Sequence, residues 1–335
     1  FGRPLRSNGR LLAKLKGRFH AAGYREFPET NLSQVEVPEG AIVLDNPNGT
    51  APGLAFEEDS TLVVMLPGVP RELHGIFLGD LSTLLEKWLG DRMAPVHHRM
   101  LHTTGVPESR LAELIEEAIS SDSAFASVLR EISLAYLPDL RGVDLRITAR
   151  SVSPEEAKAS LDRAEQKLDT QIARWRYHAI SGDIVESVSD ALKDLGLMLA
   201  VAESCTGGLV TKRLTDHPGA STSFVGGVIA YDDSVKISAL GVSQQDLCRF
   251  GAVSEVVAIQ MAVGVSKRLG SDVGLAVTGV AGPGGGTKEK PVGRVWFAVV
   301  LDGEERAYSV DFLGDRDAVR ERAAQAALAM LLRTL

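Results

Sequence analysis

At 335 residues, 44% hydrophobic and 24% charged, the chain is too long for a single core and has the composition of a globular protein, so two or three domains are expected. A net charge of −8 argues against a general nucleic-acid binder and favours small-molecule partners. Two cysteines, Cys205 and Cys248, cannot build a disulfide framework and lack metal-ligand spacing; with no apolar run of about 18 residues and no secretory pattern, a cytoplasmic, membrane-free setting is expected.

Leu11, Leu12, Leu15 and Phe19 recur at helical spacing and predict an amphipathic helix over 9–23, closed by Gly23. A strand at 41–44 enters NPNGTAPG, a turn over 46–53. Another strand at 62–66 enters LPGVPREL, where Pro70 suits the first turn of a helix starting near Arg71. Both loops offer backbone amides to an anion, and ordinary turn chemistry accounts for them as well.

From 93 to 180 the pattern changes to a compact α+β unit: strand 96–103, helix 109–119, strands 132–136 and 143–149, helix 154–175. His97, His98 and His102 have no metal-ligand pattern and read as surface or packing residues. The last region alternates helix 184–195, strand 197–202, helix 209–215, strand 227–231, helix 255–269, strand 273–278, a segment at 292–301, strand 307–312 and helix 316–332. Such alternation means an α/β layered sheet, whose ligands gather at the C-terminal strand ends, where Ser204, Tyr231 and Thr278 fall.

The stretch LMLAVAESCTGGL at 197–209 reads as strand, tight turn, helix. It puts the Ser204 hydroxyl at a strand end, and Gly207 and Gly208 let backbone N–H groups approach a ligand at the positive end of the next helix. Helix capping by Ser204 and Thr206 would explain the same residues. The last region has one histidine, His217, in the DHPG turn that ends a helix, which argues against a Ser-His-Asp triad and leaves lysine as the base. Lysine ordinarily titrates at about 10.4, so Lys236 must be desolvated or set beside another cation, with Tyr231 relaying the proton. Cys205 reads as a small buried residue. The glycine-rich loop at 279–293, with Lys288 and Lys290, lacks a Walker ending. Arg316 opposes the dipole of its own helix and Arg320 follows one turn on; a phosphate contact and a solvated charge both fit.

AESCTGG, a tyrosine followed five residues on by lysine, LGV, GAVSE, VTGVAGPGGG and KPVGRVWFAV together resemble the C-terminal domain of the competence/damage-inducible protein A (CinA) family, over 182–335. The resemblance implies three domains: a partial molybdopterin-binding-like α/β domain at 1–92, a KH-like α+β domain at 93–180 and an α/β amidohydrolase domain at 181–335. FGRPL lies well inside the family's first domain, so that domain is expected to be truncated in this sequence, without about eighty residues of the family's usual N-terminal region. The last domain would convert nicotinamide mononucleotide (NMN) to nicotinic acid mononucleotide and ammonia without metal or cofactor. Ser204 would be the nucleophile, assisted by Tyr231 and Lys236, with Glu203, Cys205, Thr206, Gly207, Gly208, Thr278, Gly279, Arg316 and Arg320 around the substrate.

The first domain implies an ADP-ribose pyrophosphatase using a divalent metal, with Asn48, Gly49, Thr50, Pro67 and Gly68 in its ligand loops; residues upstream of FGRPL would have to complete that site. A non-enzymatic role in competence or DNA damage is the alternative. The KH-like unit has no G-x-x-G loop and reads as a spacer rather than a nucleic-acid clamp. A homodimer is expected. Where the family commonly has asparagine two residues after the tyrosine, this chain has Asp233.

Overall fold

The computed structural model describes residues 1–21, 23, 29–90, 95–150 and 153–335. The chain divides into two compact units, Phe1–Ala94 and Pro95–Leu335, so the middle and last regions belong to one unit. The boundary expected at 92/93 lies outside the described residues.

The first unit runs β1 (Leu5–Ser7), α1 (Gly9–Ala21), β2 (Glu36–Pro38), β3 (Ile42–Leu44), β4 (Gly53–Glu58), β5 (Thr61–Met65), α2 (Pro70–Ile76) and α3 (Ser82–Leu89). Strands β1 and β2 pair antiparallel, and β3, β4 and β5 form an antiparallel sheet over a small core of Leu44, Ala55, Ile76 and Leu81.

The loop after β3 is closed by side chains rather than by a ladder. Asn46, 2% exposed, donates from Nδ2 to the Ala51 carbonyl and to the Glu72 carboxylate, both at 2.7 Å. Asn48 donates to the Arg71 carbonyl at 2.9 Å, and Arg18 donates to the carbonyls of Asn46 and Gly49. A Cβ on Gly49 would lie 2.2 Å from Cδ of Glu72, so a side chain there would push the Glu72 carboxylate off Asn46. Asn48, Gly49 and Thr50 are thus folded onto the start of α2, while Pro67 is half-buried and Gly68 exposed on the approach to it. The residues that shape this loop, Arg18, Asn46 and Glu72, are ones sequence reasoning passed over.

The second unit begins with β6 (Val96–Thr103), α4 (Glu108–Ser121), α5 (Ser123–Arg130), β7 (Ser133–Pro138), β8 (Val143–Arg150), α6 (Pro154–Ile172) and β9 (Arg176–Tyr177). The sheet, in order β7-β8-β6-β9, is antiparallel, and α4, α5 and α6 cover one face through Leu111, Ile115, Phe125, Leu161 and Leu168. His102 stacks on Tyr177 at 5.6 Å and lies 2.9 Å from Asp144. Among the described residues no group of three His, Cys, Asp or Glu side chains could hold a metal.

It continues with α7 (Ile184–Leu195), β10 (Leu199–Glu203), α8 (Leu209–Asp216), β11 (Phe224–Ile229), α9 (Asp233–Leu240), α10 (Gln244–Phe250), α11 (Glu255–Leu269), β12 (Val273–Gly279), β13 (Arg294–Leu301), β14 (Glu304–Asp311) and α12 (Arg316–Thr334). The sheet order is β11-β10-β12-β13-β14; β11, β10 and β12 are parallel, and β13 and β14 antiparallel. One face packs large residues, Val201, Leu275 and Phe297, against α7, α8 and α12. The other presents Ala200, Ala202, Ala276 and Ala298, small enough for α11 to settle close. A Cβ on Gly274 would come within 2.1 Å of the Ala262 carbonyl, which fixes how near that helix sits. Large residues on one face and small on the other hold the three parallel strand ends at one edge, where the site forms. No helix among the described residues is long and apolar enough to cross a membrane.

Candidate active site

Strand β10 ends at Glu203, and the chain turns there because Gly207 (φ 60°) and Gly208 (φ 92°) accept left-handed backbone that most side chains resist. The Ser204 N–H donates to the Val277 carbonyl at 2.9 Å, and the Ser204 carbonyl accepts from Gly207 N–H at 3.0 Å. The backbone of Ser204 is therefore held from both sides, and the residue is 8% exposed.

Glu203 is fully buried and does not line the cavity. Helix α8 starts from a glycine, which has no capping side chain, and the Glu203 carboxylate does the capping instead. It accepts from the N–H groups of Gly208 (2.9 Å), Val210 (3.2 Å) and Thr211 (2.8 Å) and from the Thr211 hydroxyl (2.5 Å). The expected substrate role for Glu203 gives way to this one, because the residue is fully buried and both carboxylate oxygens are already engaged by these donors. Glu203→Ala strands four donors, one buried and three partly buried, and is expected to cost about 3 kcal/mol. An unfolding midpoint unchanged in denaturant would refute this account of the turn.

A cavity of about 220 Å³ opens at the strand edge, lined by Ser204, Tyr231, Asp233, Lys236, Thr278 and Arg316, with Cys205, Gly279 and the Ala252–Val253 segment completing it. Tyr231 lies two residues past β11 and is 58% exposed; its hydroxyl accepts from Arg316 Nη2 at 2.9 Å. Arg316 Nη1 donates to the Gly282 carbonyl at 2.7 Å, which fixes the guanidinium across the mouth. Lys236 stands on the inner face of α9 and is 1% exposed. Its Nζ donates to the Tyr231 carbonyl at 3.0 Å and to Asp233 Oδ1 at 3.1 Å. Asp232 caps α9 through the Ser234 N–H at 2.9 Å, which sets the register that points Lys236 inward.

Burial pushes the Cys205 thiol up to about 12, so at neutral pH it carries almost no thiolate. Thr278 is fully buried and its hydroxyl donates to the Ala252 carbonyl at 2.9 Å; it builds the wall rather than offering a free group. Thr206, Gly207, Gly208 and Arg320 stand behind the cavity rather than on it, with Arg320 Nη2 donating to the Thr206 carbonyl at 2.9 Å. Of the glycine-rich loop's lysines, Lys288 is exposed and Lys290 donates to the Phe250 carbonyl. A larger groove of about 830 Å³ runs along the outer face of α11, lined by apolar Val256, Ile259 and Val263 together with polar Ser238, Lys267 and Glu305. The 220 Å³ cavity brings a hydroxyl, a buried amine, a phenol and a guanidinium together.

Residues 182–335 match the CinA C-terminal domain and residues 98–177 match the damage-inducible protein CinA KH domain. A CinA-like protein of Gemmatimonas aurantiaca is 40% identical over 334 residues, 99% of this chain and 76% of that protein. A competence-damage inducible protein of Caldicellulosiruptor saccharolyticus is 37% identical over 335 residues, 100% of this chain and 79% of its own length. Among solved structures, a competence-damaged protein (CinA) superfamily protein from Escherichia coli is 38% identical, covering 48% of this chain and 94% of its own, with a TM-score of 0.45.

Proposed function

The chain belongs to the CinA family, and we propose that its last region is an amidohydrolase that converts NMN to nicotinic acid mononucleotide and ammonia. One observation carries the reading: Ser204, fixed at the end of a central parallel strand, shares a small cavity with a fully enclosed lysine. In the reaction, Ser204 Oγ adds to the carboxamide carbon and its proton passes to neutral Lys236, directly or through Tyr231. Collapse of the tetrahedral adduct breaks the C–N bond as the leaving nitrogen takes that proton and departs as ammonia. Water then hydrolyses the acyl-serine to the carboxylate.

A neutral amine has two N–H bonds and one lone pair. The Tyr231 carbonyl and Asp233 Oδ1 occupy two N–H directions of Lys236, which leaves the lone pair to accept a proton. Arg316, held across the mouth by the Tyr231 hydroxyl and the Gly282 carbonyl, is the cation proposed to meet the nucleotide phosphate. The reading is tested by ammonia release from NMN by the purified full chain; a folded protein that releases none refutes it.

Asp233 supplies a second test. A carboxylate oxygen 3.1 Å from Nζ holds the amine by a charge-assisted hydrogen bond. Asp233→Asn keeps the acceptor and removes the charge. Turnover of NMN is expected to change by no more than about tenfold, because the Asp233 side chain is 56% exposed and water screens its charge. A loss as deep as that of a missing nucleophile would make Asp233 part of the reaction itself.

A further inference from the structure

Helix α12 brings Arg316 to the cavity at its first turn and then runs on to the end of the chain against the KH-like region. The contacts with that region fall at two levels of the helix. Arg333 Nη2 donates to the Thr104 carbonyl at 3.0 Å, and Arg141 Nε lies 3.7 Å from Glu321 Oε2. These levels are twelve residues apart, about 18 Å along a helix.

Both contacts come from one stiff piece of backbone. The turn between β7 and β8 is tied by Asp139 Oδ1, which accepts from the N–H groups of Arg141 (2.6 Å) and Gly142 (2.9 Å), and by the Thr104 hydroxyl, which donates to the Arg141 carbonyl at 2.8 Å. A Cβ on Gly142 would lie 1.9 Å from the Thr103 carbonyl, so turn and strand end are pressed together. Arg141 also donates to Asp183 at 3.1 Å, and Asp183 accepts from buried Arg213, which donates in turn to Gln325 of α12 at 2.9 Å.

Glu321 Oε2 is buried, and among the described residues no hydrogen bond reaches it. The Arg141 guanidinium is the charge facing it. Without that charge the enclosed oxygen Oε2 has no counter-charge, and the Glu321 side chain, already 31% exposed, turns further toward water and draws its turn of the helix with it. Arg320, which grips the Thr206 carbonyl, precedes Glu321 by one residue, and Arg316 is about one turn further back. A movement of Glu321 is therefore passed to both.

We infer that Arg141, in the KH-like region and outside the cavity, is a positioning residue that holds α12 in register and thereby sets how well Arg316 meets substrate. The KH-like region then acts on the reaction as a brace, without touching the reacting atoms. The inference rests on the amidohydrolase reading, and it makes a claim of its own about helix position.

The test uses the full chain with NMN. Arg141→Ala is expected to raise KM about five- to tenfold with kcat within about twofold, the pattern of weakened binding. Glu321→Gln in that background is expected to bring KM back to within about twofold of wild type, because a neutral amide needs no counter-charge. Rescue by a second-site change would not follow from general loosening of the fold. An unchanged KM in Arg141→Ala, or a raised KM that Glu321→Gln leaves untouched, overturns the inference. If the wild-type chain turns over no NMN, the amidohydrolase reading fails alone, and hydrogen exchange decides: faster exchange over 205–208 and 316–321 in Arg141→Ala, reversed by Glu321→Gln, upholds the brace, and unchanged exchange refutes it.

Discussion

Ser204→Ala is expected to lower ammonia release from NMN by at least about three powers of ten while leaving the unfolding midpoint within the spread of repeat measurements. The hydroxyl is the group lost. The backbone that shapes the turn stays, since its bonds to Val277 and Gly207 are main-chain bonds and the helix beyond is capped by Glu203. The adjacent thiol is the rival nucleophile, and its chemistry separates the two. Burial that pushes Cys205 up to about 12 leaves too little thiolate at pH 7 for efficient attack. Cys205→Ala should therefore keep most of the activity, losing only what a small cavity costs in packing. A thiol reagent at neutral pH should modify exposed Cys248 and leave turnover intact. Loss of activity in Cys205→Ala together with retention in Ser204→Ala would reverse the assignment.

The strand-turn-helix around Ser204 was legible because its signals are local: an apolar run, then two glycines, then helical periodicity. Strand β6 and helix α7 were legible for the same reason. Strand β4 was not, since it opens on a glycine inside what reads as a turn. Helix α9 was hidden by the residue that matters most in it. A lysine on its buried face breaks the apolar stripe by which amphipathic helices are recognised, and local rules fail where function is concentrated. The role of Glu203 left a trace that could have been read: an acidic residue just before a helix whose N-cap is glycine is a ready substitute cap. Other features left none. Arg316 reaches Tyr231 across 85 residues and Arg141 faces Glu321 across a still longer span, and such pairings come from sheet order and helix packing, which no spacing in the chain records.

Lys236→Arg is expected to be nearly inactive, with turnover reduced about as far as in Ser204→Ala, because a guanidinium stays protonated at any accessible pH and cannot take the serine proton. Arg is bulkier than Lys, and the site is fully enclosed, so Lys236→Met serves as a companion: it fills similar space, carries no charge and leaves half-exposed Asp233 to water. Both variants should bind nicotinic acid mononucleotide, the product of the proposed reaction, with an affinity within about tenfold of wild type, since the proposal gives the phosphate to Arg316 rather than to the lysine. Tyr231→Phe should lose less, about tenfold to a hundredfold, because it removes the Arg316 contact and any relay but spares the lysine's contact with the Tyr231 main-chain carbonyl. An active Lys236→Arg enzyme with the wild-type pH profile would remove lysine from the proton path. It would also turn the search for the base to Asp233, which lines the cavity, for Glu203 is consumed by the cap of α8.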